Sequence, residues 1–338
     1  MNNNELTHQS GNFNEILIII DNARNRAMQA INAELIQMYW EIGCYVSNKV
    51  KDSGWGKSIV ADFSAFLQIH YPGTKGFSAQ NIWRMKQFYE TYKDSEKLSP
   101  LVREISWSNN LLILAGCKTD EAREFYLRLC ITSHYTKREL ERQINSMLYE
   151  RTTISKEKHK NLIAGNDGLT ALRDSYVFEF LDLEEPYKEK DLRHQIISHL
   201  RDFILEFGHD FSFVGEEYRV QVGNTDFFID LLFYNRTLSC LVAIELKIDT
   251  FRPEHLGQLN FYLEALDRDV KKPNENPSVG LILCTSKDDT VVEYALSRSM
   301  STTMVADYTL HLPDKTVLQN KLREITELAL ENKKNNAD

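Results

Sequence analysis

The sequence contains no long apolar segment and few cysteines. No stretch approaches the roughly 18 consecutive apolar residues of a membrane span. The apolar run at residues 16–20 is short, follows an acidic residue and has no basic region before it, so we interpret it as the buried start of a helix and not as a signal peptide. The five cysteines are odd in number and lack Cys-x-x-Cys spacing, which argues against a disulfide framework and a structural zinc site. A cytoplasmic location is the resulting expectation.

Several catalytic signatures are also absent from the sequence. It has no glycine-rich phosphate loop, so ATP hydrolysis is unsupported, and no local serine or cysteine nucleophile motif. The histidines of the C-terminal half show no ligand spacing to one another. His194 and His199, for example, lie on different sides of a helix. We expect these two, with His209 and His255, to be structural or exposed.

The charge balance is acidic, with 40 basic and 49 acidic residues and a net charge of −9. Because phosphate contacts need lysine and arginine, this balance argues against strong non-specific DNA binding. A basic groove can still lie on an acidic body. We therefore expect weak, salt-sensitive or partner-assisted binding if nucleic acid is the ligand.

The sequence does contain two strand-like apolar runs, residues 227–234 and 241–248, joined by a short polar segment. Runs this apolar predict strands that are covered on both faces. Asp230, Glu245 and Lys247 interrupt them. A charged side chain in such a strand is unfavourable unless it is paired or binds a metal, so these three residues are the candidates for chemistry.

The spacing of these residues indicates a metal site. Alternation along a strand places Glu245 and Lys247 on one face. If the hairpin turns near residues 237–238, Asp230 lies opposite Glu245, with Cβ atoms roughly 4.5–5.5 Å apart. A hard divalent cation would relieve the repulsion of the two carboxylates, and Mg²⁺ typically takes one or two of them. Lys247 could then hold the attacking water or stabilise charge on a phosphate. The alternative is a buried salt bridge of Lys247, which would need only one acid.

The sequence segments around this motif resemble those of the YhcG family, a branch of the PDDEXK nuclease superfamily. The resemblance rests on the segments at 213–214, 226–227, 230–234, 242–247, 257–258, 262–263 and 280–284. It implies a helical N-terminal domain followed by a PDDEXK domain that hydrolyses phosphodiester bonds. The substrate that the resemblance favours is DNA over RNA. It also implies Mg²⁺ or Mn²⁺ held by Asp230 and Glu245, with Lys247 and Gln258 in the active site.

The chain departs from the family pattern at one position. The resemblance leads us to expect an acid after residues 191–192, on the first helix of the domain, but Arg193 stands there. Glu189, one helical turn earlier, is one candidate for an additional acid. Glu217 or Glu216 on the following strand is another, with an exposed strand position as the alternative. The number of metal ions therefore stays open.

The N-terminal region has helical periodicity. Residues 1–12 are rich in asparagine and are expected to be disordered. After two helices and a turn at residues 71–76, Ser78 is placed to cap a third helix whose apolar stripe excludes Arg84 and Lys86. Helix, turn and helix with exposed basic residues is typical of a helix-turn-helix reader of nucleic acid. A small helical bundle without that role is the alternative.

A basic bias continues at the end of the helical region. Residues 137–149 predict a helix capped by Thr136, with Glu139 at capping-box spacing. Arg138 and Arg142 belong to this basic region and are candidates for contacts with nucleic acid. A solvated helix face is the alternative interpretation.

The predicted organisation has three parts: a helical, nucleic-acid- or partner-binding domain at 13–150, a linker at 151–175 and the PDDEXK domain at 176–332. The predicted fold class of the last part is α/β, a restriction-endonuclease-like core with a mixed sheet flanked by helices. Its elements follow the order helix 189–207, strands 211–222, 225–234 and 240–248, helix 252–266, strand 279–284, helix 289–298, strand 304–310 and helix 313–332. Helix, meander, helix and strand is also the core order of PDDEXK folds.

Two rival functions stay open at this level. One is a PDDEXK module that binds nucleic acid without cutting it, for which Arg193 is a hint. The other is an interaction subunit of a restriction or defence assembly, for which the acidic net charge is a hint. The sequence leaves open whether the chain forms a homo-oligomer and which nucleic-acid structure it would recognise.

Overall fold

The structure, a computed structural model, describes residues 3–54, 56–158, 172–208, 210–297, 299 and 301–335. The chain divides into two compact units, residues 1–141 and 142–338. None of the helices in the described part of the chain has the length and hydropathy of a membrane span.

The first unit is helical, as predicted. Its helices are α1 (Asn3–Ser53), α2 (Lys57–His70), α3 (Ala79–Tyr92), α4 (Trp107–Gly116), α5 (Asp120–Ser133) and the start of α6 (Lys137–Asn145). Val46, Val60 and Ile82 join the first three helices in one buried cluster. The Ser78 hydroxyl accepts a hydrogen bond from the backbone N–H of Asn81, so the predicted cap of α3 is confirmed.

The long helix α1 corrects two expectations. It begins at Asn3, so the prediction of disorder through residue 12 is wrong. The apolar run that we expected to be buried is also exposed, with Ile16 at 52% and Ile19 at 63% of their full accessible surface. The physical reason is that α1 packs into its unit through a different side and further along, beginning at Ile36 and Tyr39.

The predicted capping box at the start of α6 is confirmed. The Thr136 N–H donates to Glu139 Oε2, and the Glu139 N–H donates to Thr136 Oγ1. The helix does not run on to residue 149 as predicted, because Met147 has a φ of +54°. A separate helix, α7 (Leu148–Lys158), follows. The first residues of the predicted linker, 151–158, are therefore helical, and 159–171 lie outside the described residues.

The second unit contains a six-stranded mixed sheet, which confirms the predicted α/β class. The strand order is β1-β6-β5-β4-β3-β2, with an antiparallel meander of β2, β3 and β4 and parallel pairing from β4 through β1. The elements are β1 (Ser175–Val177), α8 (Glu189–Ser198), α9 (Leu200–Phe207), β2 (Phe211–Val222), β3 (Thr225–Asn235), β4 (Cys240–Leu246), α10 (Glu254–Ala265), β5 (Val279–Cys284), α11 (Asp289–Leu296), β6 (Thr303–Thr309) and α12 (Lys315–Asn335).

Two cores cover the faces of this sheet. On one face, Leu192 of α8 and Phe203 of α9 pack against the strands, and on the other Leu259 and Leu263 of α10 do so. The single helix predicted at 189–207 is in fact two helices, because His199 leaves helical geometry with a ψ of 30°. Every residue of β4 is buried. A charged side chain on β4 therefore lies in the interior, between the two layers.

A buried ion cluster connects α6, α7 and α9 within this unit. Glu206 is fully buried and accepts charged hydrogen bonds from Arg142 at 2.9 Å and Arg151 at 3.0 Å, with Arg173 at 3.7 Å. The Val177 N–H donates to the same carboxylate at 3.0 Å. These contacts explain why residues 142–158 belong to the second unit.

We expect Glu206→Gln to lower the free energy of unfolding of the second unit by about 3–5 kcal/mol, because Arg142, Arg151 and Arg173 would lose the buried carboxylate that they share. Burial raises the pKa of Glu206, but the three guanidinium groups outweigh it and the net pKa is lowered. This stabilisation is therefore present at neutral pH and is lost as the pH falls from the ordinary glutamate pKa through the lowered one.

Urea denaturation of the two variants Glu206→Gln and Glu264→Gln measures this effect. Glu264 is exposed and pairs with the exposed Arg268 one helical turn away, so its replacement should change stability by less than about 0.5 kcal/mol. Equal stability of both variants would show that the cluster around Glu206 contributes nothing.

Candidate active site

The strand register brings the two predicted metal ligands to facing positions. β3 and β4 pair from Asn235↔Cys240 to Leu231↔Ile244, so the next position joins Asp230 and Glu245. This is the register expected from the sequence. Leu241 and Ala243 belong to the core beneath α10, and alternation along β4 directs Glu245 toward that same face.

A third carboxylate lies at the same level of the neighbouring strand. β2 pairs with β3 at Glu216↔Leu231 and Tyr218↔Ile229, so Glu217 lies opposite Asp230. Glu217 has a φ of +43°, a conformation that side-chain-bearing residues seldom adopt. Its side chain is 61% exposed. The strained backbone thus lies at the strand position nearest the predicted site, where such distortions re-aim a side chain.

Arg193 connects two of these carboxylates. Its Nη1 donates to Asp230 Oδ1 at 2.8 Å and its Nη2 to Glu217 Oε1 at 2.7 Å. The other Asp230 oxygen accepts from the backbone N–H of Leu246 at 3.0 Å. The residue that departs from the family pattern is therefore in direct contact with the candidate site, where it fixes the orientation of Asp230.

Glu245 is the most buried acid of the site, with 3% of its side chain exposed. Its Oε1 accepts a hydrogen bond from Lys247 Nζ at 3.0 Å, while no described residue donates to its buried Oε2. Burial, and then the nearby Asp230 carboxylate, raise the pKa of Glu245 to about 7 even though Lys247 opposes them. An interior carboxylate oxygen without a donor is unfavourable and is a position that a cation would satisfy.

Lys247 is the cation beside these acids. Its Nζ lies 3.0 Å from Glu245 and 3.4 Å from Glu189 Oε1, and 12% of its side chain is exposed. Burial lowers the pKa of Lys247, but the Glu245 carboxylate, followed by Glu189 and Asp230, outweighs burial and raises it. Lys247 is therefore a positive charge at neutral pH, and Glu189 lies close enough to act as an additional acid.

Helix α10 contributes Gln258 and Tyr262. The amide of Gln258 donates to the Tyr262 hydroxyl at 2.9 Å. Burial raises the pKa of Tyr262, the Gln258 hydrogen bond opposes this, and the charges of Glu245 and Asp230 raise it further. Tyr262 is buried in the core beneath α10 and is also near both acids, a proximity that the sequence analysis did not predict. Its four-residue step from Gln258 was the available signal.

The site carries more negative than positive charge. Four carboxylates, those of Glu189, Glu217, Asp230 and Glu245, face only Arg193 and Lys247. A divalent cation would balance this difference. Within the described ranges, no three His, Cys, Asp or Glu side chains converge as a preformed metal cluster. Asp230 and Glu245 offer two carboxylates at facing positions, a donor set that fits an ion such as Mg²⁺, which takes one or two carboxylates and keeps other ligands for water and phosphate.

The other predicted residues make contacts of their own. Lys86 pairs with Glu90 at 2.7 Å, Arg84 and Arg138 are exposed, and Arg142 is engaged by Glu206 and Glu179. Because its guanidinium is committed inside the fold, Arg142 is not available to nucleic acid as we had expected. Among the histidines, His194 is exposed and His199 contacts the Gln195 carbonyl. His255 faces Phe251, and His209 lies outside the described residues.

A helix pair, an antiparallel meander that continues into parallel strands and a central Asp…Glu-x-Lys set define a nuclease-type domain of the PDDEXK class. Residues 169–323 match the family model described as the YhcG PDDEXK nuclease domain, and residues 15–151 match the DUF1016 N-terminal domain. Over 345 residues the chain is 31% identical to "Putative nuclease YhcG" of Escherichia coli strain K12, covering 91% of this chain and 92% of that protein. The chain belongs to the YhcG family.

Two solved structures show partial similarity to this chain. A repair endonuclease from Pyrococcus abyssi has 14% sequence identity and a TM-score of 0.26, covering 38% of this chain and 50% of its own. EndoMS in apo form has 17% identity and a TM-score of 0.25, covering 39% of this chain and 49% of its own. The chain thus spans about half the length of these structures.

Proposed function

We propose that the second unit is a metal-dependent nuclease that hydrolyses phosphodiester bonds, with DNA as the substrate and Mg²⁺ or Mn²⁺ as the cofactor. The observation that carries the proposal is the unpartnered Oε2 of buried Glu245, opposite Asp230 in an excess of carboxylates. A purely structural salt bridge would leave neither an orphaned oxygen nor surplus negative charge.

Asp230 and Glu245 would hold the ion. When bound, a divalent cation neutralises the carboxylates, polarises a phosphate and acidifies a coordinated water. Arg193 and the Leu246 N–H hold Asp230 in one orientation, so the ligand is preorganised before substrate arrives. Glu189 and Glu217 remain candidates for an additional acid, since both contact a cation of the site.

Lys247 supplies positive charge at the reacting group. Its partly exposed ammonium can donate to an attacking water or to a phosphate oxygen on which charge develops. Gln258 keeps its amide against Tyr262 and would position substrate or water at the edge of the site. These roles require no rearrangement of the sheet.

A second candidate function is a PDDEXK module that binds nucleic acid without cutting it. The observation in its favour is the ion pair between Arg193 and Asp230, because a guanidinium already satisfies one oxygen of a required ligand. This alternative predicts binding without metal-dependent products. An interaction subunit of a restriction or defence assembly predicts products only with its partners.

Cleavage of a substrate panel tests the proposal. The panel contains linear, nicked, branched and single-stranded DNA and RNA, each with Mg²⁺, with Mn²⁺ and with chelator. Wild-type protein should give metal-dependent products that Asp230→Ala and Lys247→Ala abolish. Asp226→Asn is the matched control, since Asp226 is an exposed acid on the same strand that pairs with Arg219. Binding without cleavage by the wild type would favour the non-cutting module.

The helical unit is our proposed nucleic-acid- or partner-binding domain. Residues 1–141 have equal numbers of basic and acidic residues, so the whole net charge of −9 belongs to residues 142–338. Phosphate attraction is therefore less opposed in the helical unit. Arg84 and Lys137 line a groove of about 320 Å³ with Gln87 and Ser108, which offers two cations and two polar groups to a phosphate backbone.

We expect the double replacement Arg84→Ala and Lys137→Ala to weaken nucleic-acid binding uniformly across sequences. Each lost phosphate contact should reduce the slope of log Kd against log salt by about 1. A filter-binding titration over several salt concentrations measures it. Arg123→Ala is the control, because Arg123 already pairs with Asp120 at 2.8 Å. An unchanged slope in the double variant would exclude this groove as a phosphate contact.

A further inference from the structure

The four acids of the candidate active site form a series across neighbouring elements of the fold. Glu217 on β2, Asp230 on β3 and Glu245 on β4 lie at the same level of three adjacent strands. Glu189, at the start of α8, joins the series through Lys247, which also contacts Glu245. We call the space between two successive acids a junction. The series has three junctions, and a cation could lie at each of them.

Arg193 fills the junction between Glu217 and Asp230. Its Nη1 donates to Asp230 Oδ1 at 2.8 Å and its Nη2 to Glu217 Oε1 at 2.7 Å, so one guanidinium contacts an oxygen of each acid. The Arg193 side chain is only 10% exposed, and charge-assisted hydrogen bonds are strong in such an environment. A divalent ion between the same two oxygens would have to displace this guanidinium.

Lys247 fills the junction between Glu245 and Glu189. Its Nζ lies 3.0 Å from Glu245 Oε1 and 3.4 Å from Glu189 Oε1. The junction between Asp230 and Glu245 differs, because no side chain in the described part of the chain donates to both acids. It is also the junction beside the buried Glu245 Oε2, to which none of the described residues donates. This junction is therefore the one that the protein's own cations leave to an added ion.

We propose that the site holds a single divalent ion, at the junction of Asp230 and Glu245, because Arg193 and Lys247 take the positions of further ions. This assignment rests on the proposed function, since it concerns the same metal site, and it deepens that function by fixing the number of ions. In two-metal nuclease sites the ions lie roughly 3.5–4 Å apart. In this chain Arg193 supplies the second positive charge at Asp230 in place of a second ion.

The balance of charge agrees with one ion. The four carboxylates carry four negative charges when all are ionised, and Arg193 and Lys247 return two positive charges. The surplus of two negative charges equals the charge of one divalent cation. A second ion would give the site an excess of two positive charges before substrate arrives, and an unbalanced charge beside buried groups is unfavourable.

The number of Mn²⁺ ions bound per chain, counted by electron paramagnetic resonance on the full chain without nucleic acid, tests the proposal. The wild type should bind one ion with an uncoupled signal. Arg193→Gln removes the guanidinium and should admit a second, weaker ion roughly 4 Å from the first, which would broaden the signal by coupling between the ions. Arg193→Lys keeps a positive charge at the junction and should keep the count at one.

Glu217→Gln separates the two junctions. In the otherwise wild-type protein it should change the affinity for the single ion by less than about threefold, because Glu217 is exposed and contacts Arg193. In the Arg193→Gln background it should return the count to one, since the second ion loses a carboxylate ligand. Arg219→Gln is the matched control, because Arg219 is an exposed cation that pairs with Asp226, and it should keep one ion. Far-UV circular dichroism checks that each variant folds.

Two ions in the wild type would overturn the proposal, as would a single ion in a folded Arg193→Gln protein. If Arg193→Gln does not fold, the wild-type count and the Glu217→Gln variant still decide, because a loss of ion affinity of about tenfold or more in Glu217→Gln would make Glu217 a ligand. These results would correct the number of ions and leave metal-dependent cleavage in place. A wild type that binds no ion and gives no metal-dependent products would overturn the proposed function, and the single-ion assignment with it.

Discussion

Lys247→Ala should lower the rate of metal-dependent cleavage roughly a thousandfold while changing DNA affinity by less than about threefold. The reason is that the other cation of the described site, Arg193, is held by carboxylates on two strands, β2 and β3. The Lys247 ammonium is partly exposed beside Glu245 and can reach a phosphate. A charge aimed at the developing negative phosphate stabilises the transition state more than the ground state.

The measurement is single-turnover cleavage at saturating protein, with binding measured separately in Ca²⁺ or chelator. Lys287→Ala is not a suitable control, because that lysine is also buried in an ion pair. Arg219→Ala is suitable, since Arg219 is an exposed cation of β2 that pairs with Asp226. A Lys247→Ala protein that cleaves at the wild-type rate would remove this residue from the mechanism.

Glu245→Gln should stabilise the metal-free protein at pH 8 by roughly 2–3 kcal/mol while abolishing cleavage. The pKa of Glu245 is raised to about 7 by burial and by Asp230. A carboxyl whose pKa is raised on folding favours the folded state less as the pH rises from the unfolded pKa toward 7. Above pH 7 the folded state carries the full free-energy cost of an ionised, buried carboxylate beside Asp230. The neutral amide of glutamine removes that cost.

Near pH 4 the stability of the same variant should differ little from that of the wild type. At that pH the buried Glu245 carboxyl is protonated, and it is then as neutral as the glutamine amide. Urea denaturation in chelator at several pH values measures the difference, with Glu293→Gln as the exposed control on α11. Saturating Mg²⁺ should reverse the order of stability, because only the wild type gains metal binding. A destabilised Glu245→Gln protein at pH 8 in chelator would show that Glu245 serves the fold as an ordinary salt bridge.

Sequence reasoning succeeded where local pattern and register decide the structure. Two apolar runs and a short polar segment were enough to predict a hairpin, and alternation then fixed which residues face each other. The facing positions of Asp230 and Glu245 follow from that register, while their role as metal ligands stays a prediction. The caps at Ser78 and Thr136 were also predictable, because capping depends on only four consecutive residues.

It failed where the outcome depends on packing between distant segments. The contact of Arg193 with Glu217 joins a helix to a strand whose backbone is distorted at that residue, and no local pattern encodes this. Periodicity showed that α1 has an apolar side, but periodicity does not say whether anything covers it. The buried partners of Arg142 likewise come from residues more than 30 positions away.

The most direct test of the account is a Mn²⁺ titration followed by electron paramagnetic resonance, on the full chain at pH 8. The central claim is that Asp230 and Glu245 together hold one divalent ion. The wild type and Asp226→Asn should bind one Mn²⁺ per chain, and Glu245→Gln and Asp230→Asn should lose that binding. No bound ion in the wild type, or binding that survives both site variants, would contradict the claim.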